Sequence, residues 1–335
     1  MEKSNLPESL QTLIRSIENS EKLTPGIAKR LLEDANIESH DLMPWADFNH
    51  PIADSYGRKL VYDGKYFELM VMSWVDGDMS AIHDHGYTQW GAVQLFGPAE
   101  HAFFKLDNNI LITRLRSVCQ PREVLAVGHD LIHQMGNAGN EPYLTLHLYG
   151  SYDFKGCVTA DARLYDLDEG KIQFTSGGVF FDLPEDQINR RIDGPKSDFP
   201  TLLRCKVELL KRLLRKNGSF EKERFGSEDE ARIANELFEK STWEMLYNEL
   251  NASQNRSEEQ QARYKAVLDQ ELYTTANLQL AMLNSGIIKH GFDEFRNELP
   301  GMLMNGHSQD FSISYLDFMS WYLGAKNSLA SLYAA

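Results

Sequence analysis

Two histidines separated by a single residue give the first indication of chemistry in this sequence. His83 and His85 flank Asp84 in the run Ala-Ile-His-Asp-His-Gly. On an extended strand, residues two apart point to the same face, so both imidazoles can reach one ion. His133 follows a turn that would bring a later strand beside the first. Three neutral imidazoles with open coordination positions suit Fe, Zn, Cu or Ni, so the pattern predicts a metal site without fixing the metal.

The elements that must position these histidines are predicted to be short strands. From about Tyr56 the chain alternates β-branched and aromatic runs with turn formers such as Asp63-Gly64 and Asp107-Asn108-Asn109. Many short strands at near-regular spacing predict an antiparallel sandwich or barrel. The predicted strands are Lys59–Tyr62, Tyr66–Trp74, Gln89–Phe96, His101–Leu106, Leu111–Val118, Glu123–Val127, Leu144–Tyr149, Ala162–Asp166 and Lys171–Ser176.

Helical patterns lie on both sides of the predicted strands. Two short helices come first, around Leu10–Ile17 and Ala28–Ala35. After Pro200 the pattern is helical with few turns, and Ser227 and Ser257 each open a capping box. We therefore predict a domain over residues 1–198 and a mainly α-helical domain of unknown role over residues 199–335. The predicted C-terminal helices are Leu202–Lys216, Ser227 to about Leu250, Ser257 to about Leu283, and Ser314–Leu332.

Composition and charge limit the classes of function. The 335 residues carry 34 Lys and Arg against 49 Asp and Glu, a net charge of -15, which disfavours a nucleic-acid surface. No apolar run approaches the roughly 20 residues needed to span a bilayer, and the N-terminus lacks the pattern of a signal peptide. The three cysteines are widely spaced, as expected for free thiols in a reducing compartment. We predict a soluble, cytoplasmic protein.

The segment from about Tyr56 to Phe154 resembles a known family. A glycine separated by five residues from the His-x-His pair, with a later His and Asn, resembles the two cupin motifs. The runs YGRKLVYDG, GDMSAIHDHG, GHDLIHQMGN and EPYLTLHLY resemble the cysteine dioxygenase (type I) branch of the thiol dioxygenases. The resemblance implies a cupin-type double-stranded antiparallel β-barrel, preceded here by N-terminal helices and followed by a helical region, α+β overall.

The resemblance also assigns roles to individual residues. It implies that the histidine set binds Fe(II), and that Arg58 holds the carboxylate of the substrate. It implies an active-site phenol supported by a histidine and a hydroxyl, here a threonine where serine is usual. Alternation places these three on one strand face, as a hydrogen-bonded relay requires. The residues concerned are His83, His85 and His133 for the metal, Arg58 for the substrate, and Tyr149, His147 and Thr145 for catalysis.

One departure from the family concerns the neighbourhood of the phenol. In mammalian members a cysteine a few residues after the His-x-His pair is joined to the tyrosine, and here the aligned region has Trp90 and no cysteine. A cysteine–tyrosine cofactor is therefore excluded, and we expect Trp90 to narrow or reshape the pocket. A branch acting on 3-mercaptopropionate usually has Gln where Arg58 stands, so Arg58 favours a thiol with an α-carboxylate.

The predicted function is that of an oxidoreductase, an Fe(II) dioxygenase that converts a small thiol such as cysteine into its sulfinic acid with O2. The predicted partners are that thiol and O2, with no nucleic acid and no membrane, and a homodimer through the C-terminal helices is one arrangement open to the chain. Three alternatives stay open. They are the same iron site acting on 3-mercaptopropionate or a pathway-specific thiol, a non-enzymatic ligand sensor, and a Zn or Ni cupin isomerase.

Overall fold

The computed structural model describes residues 3–153, 156–238 and 256–287, together with residues 242, 245, 246, 248 and 249. The described residues fall into two compact units that divide between Lys196 and Ser197. Their helices are α1 (Glu8–Glu18), α2 (Pro25–Asp34), α3 (Ser39–Leu42), α4 (Phe199–Lys216), α5 (Ser219–Lys222), α6 (Glu228–Phe238) and α7 (Glu258–Asn284). Their strands are β1 (Gly57–Asp63), β2 (Phe67–Trp74), β3 (Trp90–Leu95), β4 (Ala99–Asp107), β5 (Ile110–Cys119), β6 (Val124–Gly128), β7 (Ile132–Asn137), β8 (Tyr143–Gly150), β9 (Ala162–Asp166), β10 (Lys171–Thr175), β11 (Ile188–Asp193) and β12 (Lys196–Ser197).

The strands of the first unit form a double-stranded antiparallel β-barrel of the cupin type. One layer is a five-stranded sheet in the order β1-β2-β8-β3-β6. The other contains the orders β12-β5-β4-β7 and β11-β10-β9. Consecutive strands β4 and β5 form a hairpin, whereas β8 lies between β2 and β3, which are far from it in sequence. The predicted fold class, a cupin barrel with added helices, is confirmed.

The segment Met79–His83 joins the two smaller sheets. The backbone N–H of Ser80 donates to Met135 of β7, and that of Ala81 donates to Val179. His83 exchanges two backbone hydrogen bonds with His133, each 2.9 Å, and also bridges to Leu164 of β9. The first histidine of the His-x-His pair therefore lies on an extended segment that pairs alternately with two neighbours, not on a regular strand.

Three strands of the five-stranded sheet, β2, β3 and β8, are buried along their whole length. In β8 the leucines at 144, 146 and 148 pack in one hydrophobic cluster with α1 and α2, which contribute Leu13 and Leu32. The alternate residues Tyr143 and Tyr149 belong to a second cluster, inside the barrel. Successive side chains of a strand point to opposite faces. One face of β8 therefore packs against the helices, and the other faces the barrel interior.

The second unit is helical over its described residues. Its hydrophobic core combines α4, α6 and α7, with members such as Leu203, Ile233 and Leu272. Both predicted capping boxes are confirmed, since Ser227 and Ser257 each exchange two hydrogen bonds with the residue three positions later. The predicted helix Ser314–Leu332 lies outside the described residues.

A helix that crosses a bilayer must be both long and apolar. Among the residues that the structure describes, none of the helices combines the length and the apolar character needed to cross a membrane.

Candidate metal centre

Three buried histidines converge inside the barrel. The ring centroids of His83 and His133 are 4.5 Å apart, those of His85 and His133 4.7 Å, and those of His83 and His85 5.3 Å. One nitrogen from each ring lies within 4.8 Å of the other two. The histidines that the sequence predicted to share an ion are thus brought together by the Met79–His83 segment and β7.

The nitrogens that face one another are suited to a cation. Nδ1 of His83 lies 2.8 Å from the carbonyl oxygen of Ala81 and must donate to it, which leaves Nε2 with a free lone pair. That Nε2 lies 3.1 Å from Nε2 of His133. Nε2 of His85 is buried and has no hydrogen-bond partner among the described residues. A buried polar atom without a partner is costly, and a metal ion would satisfy all three nitrogens.

Burial keeps these imidazoles uncharged. It lowers the pKa of His83 from 6.5 to about 4. Burial, and then the neighbouring histidines, hold the pKa values of His85 and His133 well below the usual range. Metal ligation requires the neutral ring, so at neutral pH no proton needs to be displaced from these side chains.

Beside the histidines, the inner face of β8 carries a continuous hydrogen-bonded chain. Oγ1 of Thr145 lies 2.7 Å from Nε2 of His147, and Nδ1 of His147 lies 2.7 Å from the hydroxyl of Tyr149. Nε1 of Trp74 donates to Oγ1 of Thr145 at 2.9 Å. Of these contacts, only Nε2 of His147 can accept a hydrogen bond from the hydroxyl of Thr145.

The direction of the chain follows from that acceptor. The Thr145 hydroxyl donates to Nε2 of His147, so the proton of His147 resides on Nδ1 and is donated to the Tyr149 oxygen. The hydroxyl proton of Tyr149 is then free to point into the cavity. Burial raises the pKa of Tyr149 above its ordinary value and lowers that of His147 to about 3. This chain of hydrogen bonds therefore leaves the neutral hydroxyl of Tyr149 as a hydrogen-bond donor that faces the cavity.

Arg58 brings the positive charge of the site. Its Nη2 donates to Oγ1 of Thr159 at 3.1 Å, and Thr159 donates in turn to Oε2 of the buried Glu68 at 3.0 Å. Nε of Arg58 is buried and has no hydrogen-bond partner among the described residues. Gly177 lies against this group with φ of 107°, and a Cβ there would come within 2.7 Å of Thr159 Oγ1. The guanidinium is therefore held on one side and keeps a donor for a ligand.

One cavity collects these groups. Its empty space, counted together with the open solvent at its mouth, is about 450 Å³. Six of the seven predicted site residues line it, and Thr145 lies behind His147. The walls are completed by aromatic and aliphatic side chains, among them Tyr56, Met72, Trp74 and Val179.

Comparison with known proteins gives relatives of one kind. No protein-family model matches the chain. The chain is 29% identical over 180 residues to cysteine dioxygenase type 1 of Danio rerio, which covers 51% of this chain and 88% of that protein. It is 28% identical over 166 residues to cysteine dioxygenase type 1 of Homo sapiens, covering 47% and 81%. The chain is thus similar to cysteine dioxygenases over about half of its length. About half of this cupin has no counterpart in those relatives.

Likeness to solved structures is limited. This cupin aligns with the cupin domain of Schizosaccharomyces pombe Cnp3 at 11% identity and a TM-score of 0.25, covering 29% of this chain and 66% of that one. A protein of Klebsiella pneumoniae with a double-stranded β-helix domain aligns at 14% identity and a TM-score of 0.27, covering 36% and 92%. The fold assignment rests on strand order and pairing, not on these scores.

Trp90 does not reshape the pocket as expected from the sequence. Its fully buried ring belongs to the cluster between the five-stranded sheet and α1 and α2, and it packs where a Cβ on Gly150 would be within 2.3 Å of it. The residue opposite Tyr149 in β3 is Gly91. Trp90 points away because β3 alternates, so the next residue, a glycine, occupies the position beside the phenol.

Several residues of this site were not predicted from the sequence. Glu68 and Thr159 are far apart in the chain and meet only through the fold, and His101 lies 2.6 Å from His133. The carboxylate of Asp84 binds Arg163 and accepts a hydrogen bond from the N–H of Gly86. Asp84 could have been noticed from its position between two predicted ligands. Nothing in the sequence marks Glu68, Thr159 or His101 in the same way.

Proposed function

We propose that this cupin is a mononuclear non-haem Fe(II) thiol dioxygenase that converts a thiol with an α-carboxylate, cysteine in the first instance, into its sulfinic acid. In this reaction RSH and O2 give RSO2H, so both oxygen atoms end on sulfur. One observation carries the proposal: three neutral imidazoles converge in a cavity that also holds a guanidinium with an unused donor and a phenol. The relatives, named cysteine dioxygenases, support it.

The roles follow from the geometry of each group. His83, His85 and His133 would hold the metal, which when bound supplies a site for thiolate and O2 and the electrons for O2 activation. Arg58 would bind the substrate carboxylate through its free donor, since guanidinium and carboxylate pair in two parallel hydrogen bonds. Tyr149 would donate a hydrogen bond to the reacting groups, with its orientation fixed by His147 and Thr145.

Neutrality of the ligand set supports an anionic substrate. Three imidazoles add no negative charge to the site, so a dication keeps its full charge for a thiolate. Imidazoles also bind Zn, Cu and Ni, and the preference for iron here derives from the named activity of the relatives.

We place the protein in the cytoplasm, with a small thiol and O2 as its partners and no nucleic acid or membrane. We retain the boundary between residues 198 and 199, the mainly α-helical character of the second domain, and a homodimer through its helices.

The test is anaerobic loading of the purified protein with Fe(II), followed by addition of cysteine and O2. We expect cysteine-dependent O2 uptake and a product heavier by two atoms of 18O when 18O2 is used. His85→Ala should bind less iron and show no uptake, and cysteamine and 3-mercaptopropionate should be poorer substrates. Metal binding without O2 uptake for any thiol would contradict the proposal in favour of an isomerase or a sensor.

A further inference from the structure

The ring of His133 contacts a further imidazole, that of His101, which is not one of the three histidines of the candidate metal centre. Nε2 of His101 lies 2.6 Å from Nδ1 of His133, and both rings are buried. The rings are nearly perpendicular, at 71°, with centroids 4.9 Å apart. This is the short, directional contact of a hydrogen bond between two ring nitrogens.

Strand pairing explains the contact. β4 and β7 are antiparallel neighbours in which Phe103 is opposite His133 and His101 is opposite Met135. His101 and His133 are therefore diagonal neighbours on one face, within reach of long side chains. The ring of His101 is further fixed against Phe103, with centroids 4.2 Å apart.

The protons of the pair follow from metal binding through Nε2. A neutral imidazole that offers the lone pair of Nε2 to a cation carries its proton on Nδ1. Nδ1 of His133 must then donate to His101, so Nε2 of His101 is the acceptor and its proton lies on Nδ1. The same tautomer is imposed on His83 by the carbonyl of Ala81.

We infer that His101 is a positioning residue that holds His133 in the tautomer and orientation needed for metal binding. This inference rests on the proposed function only in requiring that a metal binds the three histidines. Metal-binding histidines usually donate their second N–H to a carboxylate, carbonyl or water, and loss of that partner typically weakens binding 10- to 100-fold. An imidazole acceptor is neutral, so it orients His133 without offsetting the charge of the ion.

The first experiment measures metal affinity in the absence of thiol and O2. Apo protein is titrated with Co(II) and Zn(II) against a chromophoric chelator. His101→Phe keeps a ring against Phe103 but removes the acceptor, and we expect binding weakened about 10- to 100-fold. His101→Gln restores an acceptor and should recover much of the affinity. His129→Phe is the control, because His129 contacts the Thr88 carbonyl and none of the three ligands.

The second experiment needs no variant and is read from the native chain. In Zn(II)-loaded protein labelled with 15N-histidine, NMR should show His133 protonated on Nδ1, with a strongly downfield proton, and His101 protonated on Nδ1 as well. A His133 bound through Nδ1, or a His101 protonated on Nε2, would overturn the inference. Equal affinities of native protein and His101→Phe would overturn it alone, whereas native protein that binds no cation would overturn the proposed function as well.

Discussion

The imidazoles and the phenol around the cavity are neutral because they are buried. Burial lowers the pKa of His83 to about 4 and that of His147 to about 3, and it raises the pKa of Tyr149. Asp84, which also lines the cavity, is paired with Arg163. Arg58 therefore supplies the main positive charge that a substrate anion meets apart from a bound ion.

The first prediction at this scale concerns Arg58. Arg58→Gln removes the cation that would pair with the substrate carboxylate, a loss on the order of 2–5 kcal/mol. Steady-state O2 uptake should show a KM for cysteine raised at least roughly 30-fold, with preference shifted toward thiols without an α-carboxylate. Lys59→Gln, on the same strand but paired with Asp47 at the surface, is the control. Unchanged cysteine kinetics in Arg58→Gln would show that the substrate assignment is wrong.

Substitution of Thr159 should also raise the KM for cysteine, but by less than substitution of Arg58. Thr159→Val keeps the shape but removes the hydroxyl that joins Arg58 to Glu68. Loss of about 1 kcal/mol of hydrogen bonding corresponds to a roughly five-fold higher KM with little change in kcat. Thr275→Val removes a buried hydroxyl from α7 and should leave both constants unchanged. A fall in kcat at constant KM would instead place Thr159 in the chemical step.

Spacing alone predicts which side chains share one strand face. His83 and His85 are two apart, and Thr145, His147 and Tyr149 alternate, so a local rule places each set on one face. Arg58, Glu68 and Thr159 have no such rule, and the sequence indicated only Arg58, through resemblance. The contact between His101 and His133 depends on the register of β4 and β7, which sequence spacing does not specify.

At the level of elements, β8 separates structural from chemical side chains by alternation alone. Its leucines face the helices, whereas His147 and Tyr149 line the cavity and Thr145, on the same face, supports His147 from behind. The arrangement requires the sheet to be covered on its outer face, which α1 and α2 provide. A single slip in register would exchange the two sets.

The start of α4 gives a prediction on pH. Asp198 caps α4 by accepting from the N–H of Thr201, and burial, with Glu249 nearby, raises its pKa from 3.8 to about 7. Between these values the folded state holds a proton that the unfolded state releases. The free energy of unfolding should therefore fall as pH rises from about 4 to about 7, by at most roughly 4 kcal/mol.

Denaturant unfolding of the whole chain at pH 5 and pH 8, followed by circular dichroism, measures this slope. Asp198→Asn keeps a capping side chain but cannot titrate, so its helical transition should lose the part of the pH dependence that Asp198 supplies. The same slope in both proteins would mean that Asp198 is ionised in the folded state across this range.

Most elements of the barrel were predictable because their composition is that of strands. Nine of the twelve strands were predicted, Phe67–Trp74 among them. Ile132–Asn137 was not predicted, because it is polar and contains glycine, although it is wholly buried. Ile188–Asp193 is rich in charge and mostly exposed, so it lacks the alternation that marks a half-buried strand. Both form because a neighbouring strand supplies their hydrogen bonds.

At the scale of the whole molecule, we expect a bound metal to stabilise the barrel unit and not the helical unit. A ligand that binds only the folded state stabilises it by about 2.7 kcal/mol at one hundred times its Kd. Differential scanning calorimetry with and without Zn(II) should therefore move the transition of the barrel upward and leave that of the helical unit in place. Addition of a chelator should reverse the shift. Equal displacement of both transitions would contradict a site confined to the barrel.

His83 also sets an order of events during synthesis on the ribosome. It is translated fifty residues before His133, its backbone partner on β7, and its partner on β9, Leu164, comes later still. A nascent chain that ends before His133 offers a cation only the first two of the three imidazoles. A cation that needs all three ligands would therefore bind tightly only after His133 has been translated and paired with His83.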